Sequence, residues 1–340
     1  MIRRLYLDRG PGEARGVVTL DGRPERLWIE REGEPAFARL GERHRARVEE
    51  LSPGLGLARL ALAGGLEAAL PLSKQVQLPR GAIVEIEIAA EPRAGKAAVG
   101  RLLGPSAGAP ERLQSAPDLE TRLKTAAPDA AILGGDEARE AADEAEEAGL
   151  ALTHPLAGGL TLHIEPTRAL TAVDVDWSGS SRPSAAAGMR TNQLALAEAA
   201  RLLRLKSIGG AVVIDLVGFP RDRDQVAAAA RAAFAPDEPG VAVLPVNRFG
   251  LLHLVKPHRG RPLAELLCAE DGRLSARSVA QRLARALERQ GRADPGARLL
   301  AECAPAVAKA LQHLVAVMGP RFQAREALGW DRLKTDIRSL

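Results

Sequence analysis

The first part of the chain is patterned as short strands. From Arg3 to about Glu32 the segments LYLD, GVVTLDG and RLWIER alternate apolar and polar residues between turn signals. A period of two is expected of a strand that buries one face. The pattern therefore predicts three strands at one edge of a sheet, within residues 1–35.

A second run of short strands follows over residues 36–104. Gly and Pro separate the segments RARVEEL, GLARLAL, EAALPL, AIVEIEIAAEP and KAAVGRLL at close spacing. Several short strands within so small a span are typical of a small barrel. We predict an OB-type barrel here.

Strands and helices then alternate from His154 to about Leu267. The strands TLHIEP and ALTAVDVD precede a Gly/Ser-rich loop, WSGSSRPSAAAG. A helix is predicted from Asn192 to about Lys206, with Thr191 or Asn192 as its N-cap. A strand AVVIDLVGF, a helix through QVAAAARAAF, and strands VAVLPV and LLHLV follow. This alternation predicts an α/β domain over residues 154–267.

The last part of the chain, residues 268–340, predicts a small α/β appendage. A helix is expected from Ser275 to about Gln290, followed by a strand around ARLLAE, a helix AVAKALQHLVAVM and a strand RFQARE. The two cysteines, Cys268 and Cys303, lie far apart and lack a CxxC spacing. This argues against a disulfide framework and against a zinc site built on paired thiolates.

Charge is unevenly distributed along the chain. Residues 105–150 carry eleven acidic and four basic side chains, a net charge of −7, so the rest of the chain carries +11. The Ala/Glu spacing of this stretch predicts an exposed helix or a solvated connector over residues 105–153. The basic remainder is chiefly arginine, whose planar fork suits phosphate and favours a nucleic-acid partner. An alternative is a GC-rich genome that encodes arginine in place of lysine.

Composition limits the class of protein. A chain of 340 residues with 46% apolar and 26% charged residues is globular and long enough for two or three domains. The N-terminus has no apolar core of signal-peptide length, and no uncharged stretch is long enough to span a bilayer. We therefore expect a cytoplasmic protein without a membrane partner.

Three aspartates are the strongest candidates for chemistry. Asp174 and Asp176 are two residues apart on a predicted strand and project from one face, while Asp215 interrupts the apolar run AVVIDLV. Because burying an unpaired carboxylate is costly, Asp215 should have a partner or a task. If the strands are neighbours, the three acids form an oxygen-rich cluster that suits Mg²⁺ or Mn²⁺. Alternatively, Asp215 pairs with an arginine and the other two acids end a strand.

Three sequence blocks resemble the ribonuclease E/G family of endoribonucleases. They are GGLTLHIEPTRALTAVDVDWSG, TNQLALAEAARLLRLKSIGGAVVIDLVGF and NRFGLLHLVKPHRGRPL, in the order and spacing of the family. The preceding segment, ARLGERHRARVEELSPGLGLARLALAGGLEAALPLS, resembles the family's OB-fold RNA-binding module more weakly. The resemblance implies an α/β fold: an RNase H-like sheet with an inserted OB-fold barrel, then a DNase I-like catalytic domain and the appendage.

The resemblance also implies roles for particular residues. The family's two metal-binding aspartates fall on Asp174 and Asp215, and the Asn that supports the site falls on Asp176. Lys96 falls on a basic RNA-contacting position of the barrel. Three cations end the helix before the Asp215 strand and either contact the RNA backbone or complement the helix dipole. These three candidates are Arg201, Arg204 and Lys206.

This sequence also departs from the family pattern. Arg59, Leu62 and Ala69 stand where the barrel usually carries stacking aromatics, so RNA binding should be weaker or more electrostatic. The acidic connector offers no match to the family's 5′-phosphate-sensing subdomain. Cys268 is followed by Ala-Glu-Asp in place of the zinc-linking cysteines, so no structural zinc and no zinc-linked dimer are expected, although other oligomerisation stays open.

The resulting hypothesis is a Mg²⁺-dependent endoribonuclease, with Mn²⁺ as a possible substitute, that cleaves single-stranded RNA in rRNA maturation or mRNA turnover. The alternative is a non-catalytic RNA-binding or ribosome-associated protein that retains the fold. Mutation of Asp174 or Asp215 separates the two hypotheses. Only a nuclease would lose cleavage while keeping its RNA binding.

Overall fold

A computed structural model describes residues 2–73, 78–93, 95–178, 185–218, 222–237 and 239–340. It opens with three antiparallel strands, β1 (Arg3–Gly10), β2 (Glu13–Leu20) and β3 (Arg23–Arg31). Consecutive buried residues in β1 and β2 place apolar side chains in the interior on both faces of this small sheet. The prediction of three N-terminal strands is confirmed.

The next five strands close into a barrel. β4 pairs with both β5 and β7, so the order β4-β5-β6-β8-β7 returns to β4. β6 and β8 run parallel, whereas the other neighbouring pairs are antiparallel. This closed five-stranded barrel is consistent with an OB fold, as the sequence predicts. Its strands are β4 (Arg43–Ser52), β5 (Leu57–Ala61), β6 (Glu67–Pro71), β7 (Ile83–Ala90) and β8 (Ala98–Pro105).

The acidic segment is an integral part of the fold. Its longer helix buries alanines at 138, 142 and 145, a spacing that places them on one helical face. One of its strands extends the barrel beside β4, and another lies parallel to β1. The interpretation of this segment as an exposed helix or solvated connector is therefore wrong. Its elements are β9 (Glu111–Gln114), α1 (Leu119–Ala126), β10 (Ile132–Leu133) and α2 (Gly135–Leu150).

A six-stranded sheet forms the largest layer, in the order β11-β12-β13-β14-β16-β15. β13 and β14 are parallel, and the other neighbouring pairs are antiparallel. The apolar side chains on one face of this sheet form a common core with α3 and α4. The elements are β11 (Thr153–Leu156), β12 (Leu160–Pro166), β13 (Thr171–Trp177), α3 (Ala185–Leu205), β14 (Gly210–Asp215), α4 (Arg223–Phe234), β15 (Ala242–Val243), β16 (Leu251–Lys256) and α5 (Leu263–Leu267).

The start of α3 differs from the sequence prediction. The helix begins at Ala185, so Thr191 and Asn192 lie in its interior and neither is an N-cap. Asn192 is 2% exposed. Its side chain forms hydrogen bonds with the backbone of Val217 rather than with the start of its own helix. Sequence alone mistook a tertiary contact for a local cap, because asparagine suits both.

The C-terminal unit has its own apolar core. The two helices and two strands predicted from the sequence are present, together with a third strand, β19, that the sequence did not reveal because its pattern is mostly polar and exposed. The sheet order is β18-β17-β19. The elements are α6 (Ala276–Ala293), β17 (Leu299–Cys303), α7 (Pro305–Met318), β18 (Phe322–Glu326) and β19 (Thr335–Ser339).

A buried ion network joins β2, α2 and α6. The Arg15 guanidinium is fully buried and donates to Asp8 at 2.9 and 2.6 Å, and to Glu146 at 3.2 Å. Arg285 of α6 lies 3.3 Å from the same Glu146 carboxylate and also pairs with Glu13. The acidic segment is thus neutralised by arginines from distant parts of the chain. Part of the arginine excess therefore serves the fold and is unavailable to a nucleic acid.

None of the helices in the described ranges has the length and apolar character needed to cross a bilayer. Both cysteines are free. Cys303 is buried at the end of β17, and burial raises the pKa of its thiol to about 11.

Buried His154 makes the folded protein sensitive to acid. Burial, followed by the charge of Lys206, lowers the pKa of its imidazole to about 4, from an ordinary value of 6.5. The unfolded chain therefore binds a proton that the folded protein excludes between these values. We expect the free energy of unfolding to be unaffected by this group above pH 6.5 and to fall as the pH drops from 6.5 towards 4.

Urea unfolding at both ends of this pH window tests the expectation. His154→Gln should show a smaller loss of stability towards low pH than the wild type. His313→Gln is the matched control, because His313 lies exposed on α7 and its replacement should leave the pH dependence unchanged. An equal pH dependence in the wild type and His154→Gln would contradict the assignment.

Candidate active site

The face of the six-stranded sheet turned away from the core carries the candidate chemistry. Along β13, Val173 and Val175 are buried while Asp174 and Asp176 are exposed. Asp215 is the last residue of β14 and is exposed as well. The alternation of a strand therefore places all three acids on the open side of the sheet, as the sequence predicts for Asp174 and Asp176.

Strand register brings two of these acids side by side. Asp174 and Asp215 are direct partners in the parallel pair β13–β14. Neighbouring strands lie about 4.8 Å apart, so the two carboxylates start from adjacent backbone positions on the same face. The expectation that their strands are neighbours is confirmed.

The acids repel one another. The pKa of Asp174 is raised by partial burial and then by the negative charges of Asp176 and Asp215, with an opposing effect from His163. His163 lies on β12, directly opposite Asp174. A cation placed between the carboxylates would relieve this repulsion.

His163 lies beside the third acid, Asp176. Its Nε2 lies 3.4 Å from Asp176 Oδ2, and its Nδ1 lies 3.0 Å from Thr153 Oγ1. Sequence reasoning missed this histidine. Its position in TLHIE, between two buried apolar residues, was the available signal, because it placed His163 on the open face.

The reason given from sequence for singling out Asp215 is wrong. Asp215 was expected to be a carboxylate buried within an apolar strand, whereas it ends β14 and is exposed. The cost of burial therefore does not require a partner for it. Its position beside Asp174 is the feature that makes it a candidate.

Two asparagines form hydrogen bonds with backbone groups close to Asp215. Asn192 Oδ1 accepts a hydrogen bond from the Val217 N–H at 3.0 Å, and its Nδ2 donates to the Val217 carbonyl at 3.3 Å. Asn247 Oδ1 accepts from the N–H groups of Phe249 and Leu251, and Leu251 is the antiparallel partner of Asp215. Both asparagines order backbone close to Asp215, and the sequence analysis identified neither as part of the site.

The cations at the end of α3 have structural roles. Each is less than 10% exposed: Arg201 pairs with Glu198, and Arg204 contacts Asp237 at 2.8 Å. Lys206 Nζ donates to the carbonyls of Gly149 and Ala151, and burial lowers the pKa of Lys206 to about 8. Direct RNA contact by Arg201, Arg204 and Lys206 is therefore contradicted, because their charged groups are enclosed and partnered within the protein.

Lys96 lies far from the acids. It is exposed on the barrel, in a bridge with Arg93, and its charge acts on His258. His258 contacts Gly210 at the start of β14, whereas Asp215 ends that strand. At about 3.3 Å per residue, the two ends are about 16 Å apart. Lys96 is therefore an exposed cation towards the start of β14, whereas Asp215 lies at the other end of that strand. The Gly/Ser loop beside the acids lies outside the described residues beyond Ser178.

Comparison with known proteins finds similarity over the part of the chain that carries these acids. Residues 115–259 match the sequence model of the Ribonuclease E/G family. The resemblance is confirmed. The ribonuclease E/G segment contains Asp174, Asp176, Asp215 and the two asparagines, whereas the barrel strands precede it.

Curated relatives match over about the same length. Ribonuclease E of Haemophilus influenzae is 34% identical over 114 residues, which are 32% of this chain and 12% of the relative. Ribonuclease E of Nostoc sp. is 35% identical over 116 residues, 33% of this chain and 17% of the relative. Ribonuclease E of Escherichia coli is 32% identical over 114 residues, 32% of this chain and 11% of the relative. The matched region thus spans less than a fifth of each of these relatives.

The donor atoms of the ribonuclease E/G segment suit a hard divalent cation. Asp174 and Asp215 offer carboxylate oxygens from adjacent backbone positions, beside the open face of the sheet. The described residues hold no group of three or more His, Cys, Asp or Glu side chains that could hold a metal ion, so the three-acid cluster expected from the sequence is not formed. Mg²⁺ typically binds through one or two carboxylates and completes its shell with water and substrate phosphates. The pair fits an open site of that kind and does not form a closed cage.

Proposed function

We propose that this protein is an endoribonuclease that hydrolyses phosphodiester bonds of single-stranded RNA with the aid of Mg²⁺. The pairing of Asp174 with Asp215 on an open sheet face, inside the ribonuclease E/G segment, carries the proposal. The carboxylates of Asp174, Asp176 and Asp215 are exposed on this face. Processing of rRNA or turnover of mRNA in the cytoplasm is the role we propose for this activity.

The side chains of the proposed site have different roles. Asp174 and Asp215 would hold the metal ion, which supplies Lewis-acid stabilisation of charge on the phosphate and activation of water. Asp176, beside His163, faces the same side of the sheet and would orient water next to the two carboxylates. Asn192 fixes the backbone at Val217, two residues after Asp215, and Asn247 fixes the backbone at Leu251, the strand partner of Asp215. Positioning of the carboxylates is the contribution of this chain to the reaction.

The other layers support the proposal. A closed barrel consistent with an OB fold is a common platform for single-stranded nucleic acid, and Lys96 is exposed on it. The N-terminal sheet, with β10 parallel to β1 beside an antiparallel β1–β3 meander, fits the proposed RNase H-like subdomain. The β11–β16 layer fits the proposed DNase I-like catalytic domain.

Phe249 is expected to stack on an RNA base beside the acids. It is 69% exposed on the turn that leads to Leu251, the partner of Asp215, and the Arg248 guanidinium lies 4.8 Å from its ring centroid. Base stacking on an aromatic side chain contributes about 1–3 kcal/mol. Phe249→Ala should therefore weaken binding of a single-stranded oligoribonucleotide by about tenfold or more, measured by fluorescence anisotropy. Leu328→Ala, at an 81% exposed apolar position of the C-terminal unit, is the control and should bind normally.

Cleavage of a labelled, unstructured RNA tests the function directly. The purified full chain should cut a 5′-labelled A/U-rich RNA when Mg²⁺ is present, and EDTA should stop the reaction. The products should carry a 5′-phosphate and a 3′-hydroxyl. A protein that binds this RNA but does not cut it with either Mg²⁺ or Mn²⁺ is a non-catalytic RNA-binding protein, and the proposal would be wrong.

A further inference from the structure

A second candidate site lies where the N-terminal sheet, the barrel and the α/β layer meet. A cavity of about 440 Å³ opens between them. Seven cationic side chains line it, against four carboxylates. Such an excess of positive charge inside a cavity favours an anionic ligand.

The inner end of the cavity holds cations in excess of their partners. Asp237 is 5% exposed and receives both Arg204, at 2.8 Å, and Lys256, at 3.3 Å. Glu25 is fully buried and lies 3.2 Å from Arg204 and 2.8 Å from Arg3. These carboxylates are therefore already shared among three cations.

Arg26 is a further cation at this end of the cavity. Within the described ranges its guanidinium makes no hydrogen bond and no ion pair, although the charges of Glu25 and Asp237 act on it at longer range. Burial lowers the pKa of Arg26, and the charge of Arg204 lowers it further. A partly buried arginine without a close partner is costly unless an anion neutralises it.

The outer part of the cavity supplies an aromatic surface held by paired arginines. The Arg261 guanidinium lies 4.0 Å from the centroid of the Phe37 ring, and it also contacts Glu34 at 2.8 Å. Trp28 lines the same cavity. Aromatic rings beside a cationic pocket suit a compact organic phosphate better than a bare inorganic ion.

This cavity is separate from the acid site. Lys256, which lines it, is the strand partner of Gly210 at the start of β14, and Asp215 lies at the far end of that strand. The separation along the strand is about 16 Å. An anion in the cavity and an RNA phosphate beside Asp215 therefore occupy different places.

We propose that this cavity is a binding site for a small phosphomonoester, whose dianionic phosphate is held by Arg26 with Arg204 and Lys256 around it. Arg26 provides the two parallel N–H donors that suit a phosphate, because Arg204 and Lys256 are already partnered by Asp237. The sugar or base of the ligand lies towards Phe37 and Trp28. The site is independent of RNA cleavage.

Isothermal titration calorimetry on the full chain tests the proposal without an activity assay. The probes are AMP, ribose 5-phosphate, inorganic phosphate and, as the uncharged comparison, adenosine. AMP or ribose 5-phosphate should bind in the millimolar range or tighter, and adenosine should not. Inorganic phosphate alone should bind more weakly, because it leaves the aromatic surface uncovered.

Binding measurements on variants test whether Arg26 holds the phosphate. Arg26→Met keeps much of the side-chain volume and should weaken binding at least tenfold, while Arg26→Lys should retain part of the affinity. Arg101→Met is the matched control, because Arg101 is exposed on the barrel and pairs with Glu87 there. Without ligand, Arg26→Met should be as stable as the wild type or more stable, since it removes an unpartnered buried charge.

Four results would overturn the proposal: no binding of any phosphorylated probe at millimolar concentration, equal binding of adenosine and AMP, unchanged affinity in Arg26→Met, or loss of folding in Arg26→Met. The last would show that Arg26 is a structural partner of Glu25 and Asp237. Each of these results leaves the proposed nuclease function untouched, because that function is measured at Asp174 and Asp215.

Discussion

Replacing Asp215 by asparagine should reduce RNA cleavage by about 1000-fold, which corresponds to about 4 kcal/mol of transition-state stabilisation. The substitution removes one of two carboxylates that start from adjacent positions on β13 and β14. Asp174→Asn should have a similar effect. Cleavage of a 5′-labelled RNA under single-turnover conditions measures the loss, and anisotropy measures RNA binding in parallel.

RNA binding should be unchanged or stronger in these variants, because each removes a negative charge from the face on which the RNA is proposed to lie. The folded protein should also gain stability, since the pKa of Asp174 is raised by partial burial and by repulsion from its two acidic neighbours. If a variant is more stable and still binds RNA but does not cut it, the carboxylate that it lacks is needed for catalysis rather than for folding or RNA binding.

Glu165→Gln is the matched control for the open face. Glu165 is exposed on β12, two residues from His163, and its strand partner is Ala172 rather than an acid. Its neutralisation should leave cleavage within about twofold of wild type, because an exposed charge outside the site has little effect. Equal cleavage by Asp215→Asn and wild type would show that the acids have been assigned wrongly.

Arg15→Met should lower the free energy of unfolding by about 3–5 kcal/mol, the cost of breaking a buried ion pair by removing one partner. Arg15 is completely buried, and Asp8 and Glu146 are each 3% exposed. Methionine fills much of the space but leaves the Asp8 carboxylate with Arg139, at 3.6 Å, as its remaining close cation. Chemical denaturation of the full chain measures the change.

Arg9→Met is the control for this prediction. Arg9 forms an ion pair with Glu120 at 2.6 Å, but both side chains are more than half exposed. Exposed pairs contribute about 0–1 kcal/mol, so this variant should be nearly as stable as the wild type. Similar losses in Arg15→Met and Arg9→Met would mean that burial of the network contributes nothing beyond a surface pair.

Local patterns predicted the strands and the barrel well. The three N-terminal strands, the five barrel strands and the two C-terminal helices follow from the spacing of apolar residues, which is a property of a few neighbouring positions. The approach of Asp174 to Asp215 was expected from the sequence only on the condition that their strands are neighbours, and the register meets that condition. The two strands flank a single helix. Parallel strands joined through a helix are often neighbours in a sheet.

Long-range contacts explain what the sequence did not predict. Arg204 and Lys206 have the pattern of helix-end cations on a surface, but residues from other layers enclose them. The alanines of α2 have little apolar character individually, so the burial of this acidic helix depends on a sheet that is distant in sequence. Asn192 could be assigned to Val217 only once the fold was known.

The ion network around Glu13 and Glu146 has a consequence for the order in which the chain folds during synthesis. Glu13 leaves the ribosome long before its partner Arg285, which follows 272 positions later. Until α6 emerges, Arg31 is the close partner of the Glu13 carboxylate, and Arg285 cannot yet approach Glu146. The sheet of β1, β2 and β3 can therefore acquire its apolar packing early, but it completes its charge pairing only after α6 has been made.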